Sequence, residues 1–236
     1  MQFDRPLIRA TLLRRYKRFL ADVTLEDGRQ VTAHCANPGA MTGLAQPGAA
    51  VWLRPAANPK RKLQWSWTLV ELPGGHFASV DTGLANRLVA EALAADAVPA
   101  LAGYASVRPE VRYGAGSRVD FLLRGPDRAD AYVEVKSVTL RRAGRLAEFP
   151  DTVTARGARH LAALTEMAAQ GHRAVLLYLA QRDDCDAVAL AADIDPAYAA
   201  AARAAHAAGV EALAHGTRIT PDGLRLDRAL PVRPPG

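Results

Sequence analysis

Short runs of alternating apolar and polar residues occupy the first third of the chain, and helical spacing takes over after residue 82. Leu12–Leu25 reads as extended chain leading into Glu26-Asp27-Gly28, a hairpin-turn signal, and Arg29–Ala36 returns. Val51–Arg54, Trp65–Leu72 and Phe77–Val80 are further strand candidates, separated by loops of Pro, Gly and Asn. About five short strands in so few residues suit a small barrel or sandwich, and an OB-like barrel has that strand count.

From Asp81 or Thr82, either of which can cap it, a helix is predicted over Leu84–Ala97, ending before Pro99. At about 100° per residue, Leu84, Leu88, Ala92, Ala95 and Val98 share one side, widened by Val89 and Leu93. Glu91 lies at the border of that face, either aimed at whatever the helix packs on or snorkelling past it. Val107–Tyr113 and two strands within Arg118–Val138 follow. A helix is predicted from Asp151 or Thr152 through Ala169, with Leu161, Leu164 and Ala168 inward and Arg156 and His160 flanking them four residues apart. Ala174–Ala180 is continuously apolar, as a central strand covered on both faces would be. Asp195-Pro196 starts another helix, which Gly209 stops. Val210–Ala214 and the residues around Pro221-Asp222-Gly223 read as edge strands, and Val232–Gly236 as a tail without structure. A helix-turn-helix over Ala201–Thr220 would need Val210–Arg218 to be helical, which Thr217, Ile219 and Thr220 discourage. The succession predicts two domains, a β-barrel over residues 1–81 and an α/β domain over 82–236.

The chemistry concentrates in the hairpin at Arg118–Val138. Its second strand carries Glu134 and Lys136 in an otherwise apolar run, and the alternation of side chains points both to one face. If Arg124 pairs with Asp130 across the Gly125-Pro126-Asp127 turn, Asp120 falls opposite Glu134, with Cβ atoms roughly 5 Å apart. Charges in an apolar strand are costly unless paired or metal-bound. A structural ion pair and a metal site both satisfy that requirement.

Composition narrows the partners. The 236 residues carry a net charge of +6, and residues 1–81 hold eleven Lys or Arg against six Asp or Glu. That excess favours an anionic partner such as nucleic acid. Arg14-Arg15-Tyr16-Lys17-Arg18-Phe19 interleaves cations with aromatics, and Lys60-Arg61-Lys62 leads into Trp65 and Trp67. Cations beside stacking rings suit single-strand binding, although the tryptophans could equally be barrel core. Cys35 and Cys185 lie far apart with no CxxC or His/Cys cluster, so they read as reduced thiols. No run approaches a membrane span and no leader is evident, which fits a cytoplasmic protein. The loop His34–Gly43 is unusual in composition, but its residue types disclose no chemistry.

Several of these segments resemble the bacterial sugar fermentation stimulation protein (SfsA) family. They are Arg14–Val23, the His34–Gly43 loop, Ala85–Val89, Tyr132–Leu140 and Leu230-Pro231-Val232, in the same order over nearly the whole chain. The resemblance implies an N-terminal OB-fold and a C-terminal nuclease-like mixed-sheet α/β domain, DNA binding, and a link to sugar, especially maltose, utilisation as a regulator. Asp120 with Glu134-Val135-Lys136 resembles the PD-(D/E)XK nuclease signature, although Val119 stands where that signature has Pro. By the same resemblance Glu91 is the helix carboxylate of some nuclease branches, and Arg156 and His160 are auxiliary residues facing the site. The implied chemistry is hydrolysis of DNA, single- or double-stranded. Asp120, Glu134 and Glu91, with the Val135 carbonyl, would hold Mg²⁺ or Mn²⁺, and Lys136 would orient water or contact phosphate. Arg14, Arg15, Lys17, Arg18, Lys60, Arg61, Lys62, Trp65, Arg156 and His160 would contact DNA. A non-catalytic DNA-binding regulator keeping the same fold is the alternative.

Overall fold

The alternation at Leu20–Leu25 becomes a strand whose Ala21, Val23 and Leu25 point inward while their neighbours stay partly exposed. The computed structural model describes residues 1–114 and 116–233. Its first part is built from β1 (Ile8–Tyr16), β2 (Leu20–Leu25), β3 (Gln30–Cys35), β4 (Ala50–Pro55), β5 (Trp65–Leu72) and β6 (His76–Ser79). The strands run β3-β2-β1-β4-β5-β6, and a parallel pairing of β3 with β5 closes five of them into a barrel. Leu12, Val23, Ala33, Cys35, Leu53 and Trp67 fill it with no exposed surface. The expected single run Leu12–Leu25 is in fact two strands. The chain reverses at Lys17 and Arg18, which take left-handed backbone angles (φ 47° and 63°) with no glycine to signal it. Trp67 is core, and its indole N–H donates to the Leu69 carbonyl at 3.0 Å.

The second part comprises α1 (Gly83–Ala94), β7 (Ser106–Tyr113), β8 (Ser117–Gly125), β9 (Arg128–Val138), β10 (Leu146–Phe149), α2 (Ala155–Ala169), β11 (Arg173–Ala180), β12 (Ala187–Leu190), α3 (Pro196–Ala207), β13 (Glu211–Thr220), β14 (Gly223–Ala229) and β15 (Val232–Arg233). A mixed sheet runs β14-β13-β11-β9-β8-β7. Its central strands β9, β11 and β13 are parallel, and its flanks are antiparallel hairpins. The apolar run in β11 divides between two cores. Val175, Leu177 and Leu179 face α1, whereas Leu176 and Tyr178 face the α2 side with Leu161 and Leu164. Each such buried leucine contributes about 1.5–3 kcal/mol relative to exposure. A small parallel sheet of β10, β12 and β15 lies outside this frame.

Several sequence expectations shift here. Glu211–Thr220 form a strand between β11 and β14, so neither a helix-turn-helix nor an edge strand exists at β13. Val232–Arg233 pairs with β12, while residues 234–236 of the expected tail lie outside the described residues. The first helix stops at Ala94 rather than Ala97, and the next begins at Ala155 with Thr154 as its cap. The two parts share a core: Leu7, Trp52, Leu69 and Phe77 from the barrel pack with α1 and its sheet face. Hydrogen bonds from Ser79 N–H to the Gln181 carbonyl and from Asp183 N–H to that of Phe77 cross the seam.

Candidate metal centre and its cleft

The β8–β9 hairpin keeps the anticipated register, with Phe121 opposite Val133, Leu122 opposite Tyr132 and Leu123 opposite Ala131. The Arg124–Asp130 ion pair is present at 3.0 Å. Continuing that register brings Asp120 beside Glu134, and there the main-chain ladder gives way to a side chain. Asp120 Oδ2 accepts the Val135 N–H at 2.7 Å, and Oδ1 accepts an amide N–H from Asn86 of α1 at 2.7 Å. The carboxylate substitutes for a strand carbonyl and is thereby fixed.

Glu134 is 2% exposed. Its Oε1 accepts Lys136 Nζ at 2.8 Å and the Nδ1 of His160, which α2 lowers onto it. One helical turn earlier, Arg156 Nε donates to His160 Nε2 at 3.2 Å. The second oxygen, Glu134 Oε2, is buried without a hydrogen-bond partner, as is the nearby Tyr113 hydroxyl. A buried acceptor left open costs about 1–3 kcal/mol, and a cation would satisfy it. Burial, then the charge of Glu134, raises the Asp120 carboxyl above the ordinary range. Burial also acts to raise Glu134, but hydrogen bonds from His160 and Lys136 and the charge of Lys136 outweigh it and hold that carboxyl low. Burial, reinforced by Glu134 and Asp120, pushes the Tyr113 phenol up.

Glu91 does not join them. It pairs with the Met1 amino group at 2.9 Å and is half exposed. The apolar face of α1 centres between Ala85 and Ala92, so Glu91 and Asn86 lie about 110° to either side of it. The candidate centre stands on the Asn86 side. Among the described residues no set of three or more His, Cys, Asp and Glu side chains is arranged to hold a metal ion. With Glu91 turned away, the oxygens that would hold a cation are those of Asp120, Glu134 and the Val135 carbonyl. Hard oxygen donors of this number suit a divalent cation that keeps several waters.

The expected DNA contacts separate into three groups. His160 is buried against Glu134, so it positions that carboxylate and is closed to phosphate. Arg15 is spent within the protein, donating to the carbonyls of Arg18, Asn37, Gly39 and Ala40. Trp65 is half buried against the barrel core. Arg14 pairs with Asp22 and covers the Tyr16 ring, and Arg18 holds the Pro38 carbonyl while staying exposed. Lys17, Lys60, Arg61 and Lys62 stand exposed. Arg156 lines a cleft of about 560 Å³ between the barrel and the second domain, together with Arg18, Asn37–Gly39, Asn86, Val135–Ser137 and Pro150–Ala155. Residue types alone gave no sign of Asn86, Asp151 or the Asn37–Met41 loop as parts of this site. The one available signal was that Asn86 and the loop lie in segments that carry the family resemblance.

A closed OB barrel joined to a mixed-sheet α/β domain, with Lys136 lining the shared cleft and Asp120 and Glu134 beside it on the same strand pair, defines a two-domain protein of OB-plus-α/β type. Residues 13–80 match the family model described as "SfsA N-terminal OB domain", and residues 83–223 that described as "Sugar fermentation stimulation protein RE domain". The chain belongs to the sugar fermentation stimulation protein family. A homolog from Ruegeria pomeroyi is 61% identical over 96% of this chain and 98% of its own. Another, from Rhodospirillum rubrum, is 49% identical over the full length of both. The solved structure of Pyrococcus furiosus SfsA in complex with Ca²⁺ superposes with a TM-score of 0.89 at 28% identity, covering 99% of this chain and 98% of that one.

Proposed function

We propose that this protein is a Mg²⁺-dependent nuclease hydrolysing DNA phosphodiester bonds, with Mn²⁺ able to replace Mg²⁺. The observation that carries this reading is the buried Glu134 carboxylate, whose Oε2 is open beside Asp120 and Lys136. A purely structural ion pair has no need of a second, unsatisfied oxygen in the interior. The Ca²⁺ of the Pyrococcus furiosus complex supports a divalent cation.

When bound, the metal would lower the pKa of a coordinated water and neutralise charge on the phosphate. Asp120 and Glu134 would hold it, their positions set by Asn86, the Val135 N–H and His160. Lys136 reaches from the same strand face to orient the attacking water or the phosphate. Arg156 and Arg18 on the cleft walls, with Lys17, Lys60, Arg61 and Lys62 on the barrel, would attract the sugar-phosphate backbone largely without sequence preference.

Purified protein offered single-stranded and, separately, double-stranded DNA in Mg²⁺ or Mn²⁺ should cleave at least one of them, and Glu134→Ala or Lys136→Ala should abolish that cleavage. Cleavage surviving both substitutions would refute the site. Binding without cleavage in any metal would favour the regulator.

A further inference from the structure

The Asn37–Met41 loop, which has no part in the chemistry proposed above, bridges the cleft. On the barrel side Arg15 and Arg18 grip it through its carbonyls, and Asn37 Oδ1 caps it by accepting the Gly39 N–H at 2.8 Å. Across the cleft, Asp151 accepts the Met41 N–H at 3.0 Å. Gly39 packs so closely that a Cβ there would fall 2.3 Å from Asp151 Oδ2. The loop is thus a strap pinned at both ends, fastening the barrel to the segment before α2.

Beneath it the candidate metal centre is recessed, with Glu134 2% exposed. The cleft volume of about 560 Å³ is on the scale of a small-ligand pocket. One or two nucleotides fit such a space, whereas a turn of duplex does not. A duplex holds its phosphates on a stiff outer surface and must unstack to push one inward. A single strand turns its backbone freely. Next in sequence to the lining residue Arg18 is an exposed ring of the kind such a strand stacks on. Of four large apolar side chains that are exposed among the described residues, Val153 (71%) lines the cleft, and Phe19 (44%) adjoins Arg18 at the tip of the β1–β2 hairpin.

Resting on the nuclease reading of this site, we propose that the strapped cleft admits single-stranded DNA and excludes intact duplex, with Phe19 as the platform on which an entering base stacks. Lys136 and Arg156 inside and Arg18 and Lys17 at the rim supply the complementary charge.

The test is fluorescence anisotropy of the full chain in EDTA, with a fluorescein-labelled single strand and its blunt duplex as probes. The strand should bind at least about ten-fold tighter than the duplex. Phe19→Ala should weaken strand binding roughly five-fold or more and leave duplex binding unchanged. Its thermal transition checks that the variant folds. Asp151→Ala, which frees the strap, should narrow the strand-to-duplex ratio. Equal or tighter duplex binding, or a Phe19→Ala variant that binds the strand as the wild type does, overturns the proposal. Strand preference retained without cleavage in Mg²⁺ or Mn²⁺ overturns the nuclease reading and supports this one. Binding of neither probe overturns both.

Discussion

Arg156 has only donors to offer, so its contact with His160 fixes where the imidazole proton lies. Nε2 must accept, Nδ1 carries the hydrogen, and that hydrogen points at Glu134 Oε1. Lys136 Nζ stands 3.3 Å from the same nitrogen but is also a donor, so it is held by Glu134 and not by the ring. The chain Arg156–His160–Glu134 thereby turns one carboxylate oxygen inward and leaves the other open. Partners of this kind behind a metal ligand are worth roughly 10–100-fold in metal affinity. His160→Ala should weaken Mn²⁺ binding by about that factor in calorimetry, and His160→Asn, which keeps a donor, should recover part of it. Unchanged affinity would reduce the contact to packing. Glu91→Gln makes the opposite case. It removes an ion pair with Met1 that is half exposed, so it should cost less than about 1 kcal/mol in urea unfolding and leave cleavage untouched.

Single residues also decide where elements begin. Asp195 caps α3 by accepting the Tyr198 N–H at 2.9 Å, and its other oxygen accepts the Thr154 N–H at 2.8 Å just ahead of α2. Asp195→Ala should destabilise by about 2–3 kcal/mol in chemical denaturation, because a cap is lost and a second N–H is left without its acceptor. Asp195→Asn should restore part. The Asp195-Pro196 start was readable in the sequence because its signal is local, and so was β11, whose apolar run needs no knowledge of its neighbours. The hairpin register was legible for the same reason. Less was legible where the deciding partner is distant. β10, β12 and β15 are four, four and two residues long and are held by pairing with one another across long stretches of sequence. Asp151 resembles a helix cap, but its carboxylate is taken by Met41. Helical periodicity placed Glu91 at a border of α1 but could not say which border meets the hairpin. Asn86 on the other flank holds Asp120.

At the scale of the whole molecule, the seam between barrel and sheet is both apolar and charged. Arg182 bridges to Ala78 of β6, donates to the Thr139 carbonyl at 2.7 Å and forks onto Asp184, which Arg141 also contacts. Burial acts to raise the Asp184 carboxyl, but the hydrogen bonds and charge of Arg182, then Arg141, hold it down at about 2. A depressed folded-state pKa stabilises above the unfolded value near 3.9, and the contribution disappears as pH falls toward 2. Asp184→Asn should therefore be less stable than wild type by about 2 kcal/mol or more at pH 7, and the gap should close between pH about 4 and 2. Equilibrium unfolding across that range measures it. With one core spanning both parts, thermal unfolding should show a single transition. The strap has a consequence in time as well as in space. Every pairing that closes the barrel lies within residues 8–79, whereas the Met41–Asp151 bond joins positions 110 residues apart. On the ribosome, the barrel can close while the cleft still lacks its far wall. The nascent chain therefore presents a finished barrel long before the cleft beside it exists.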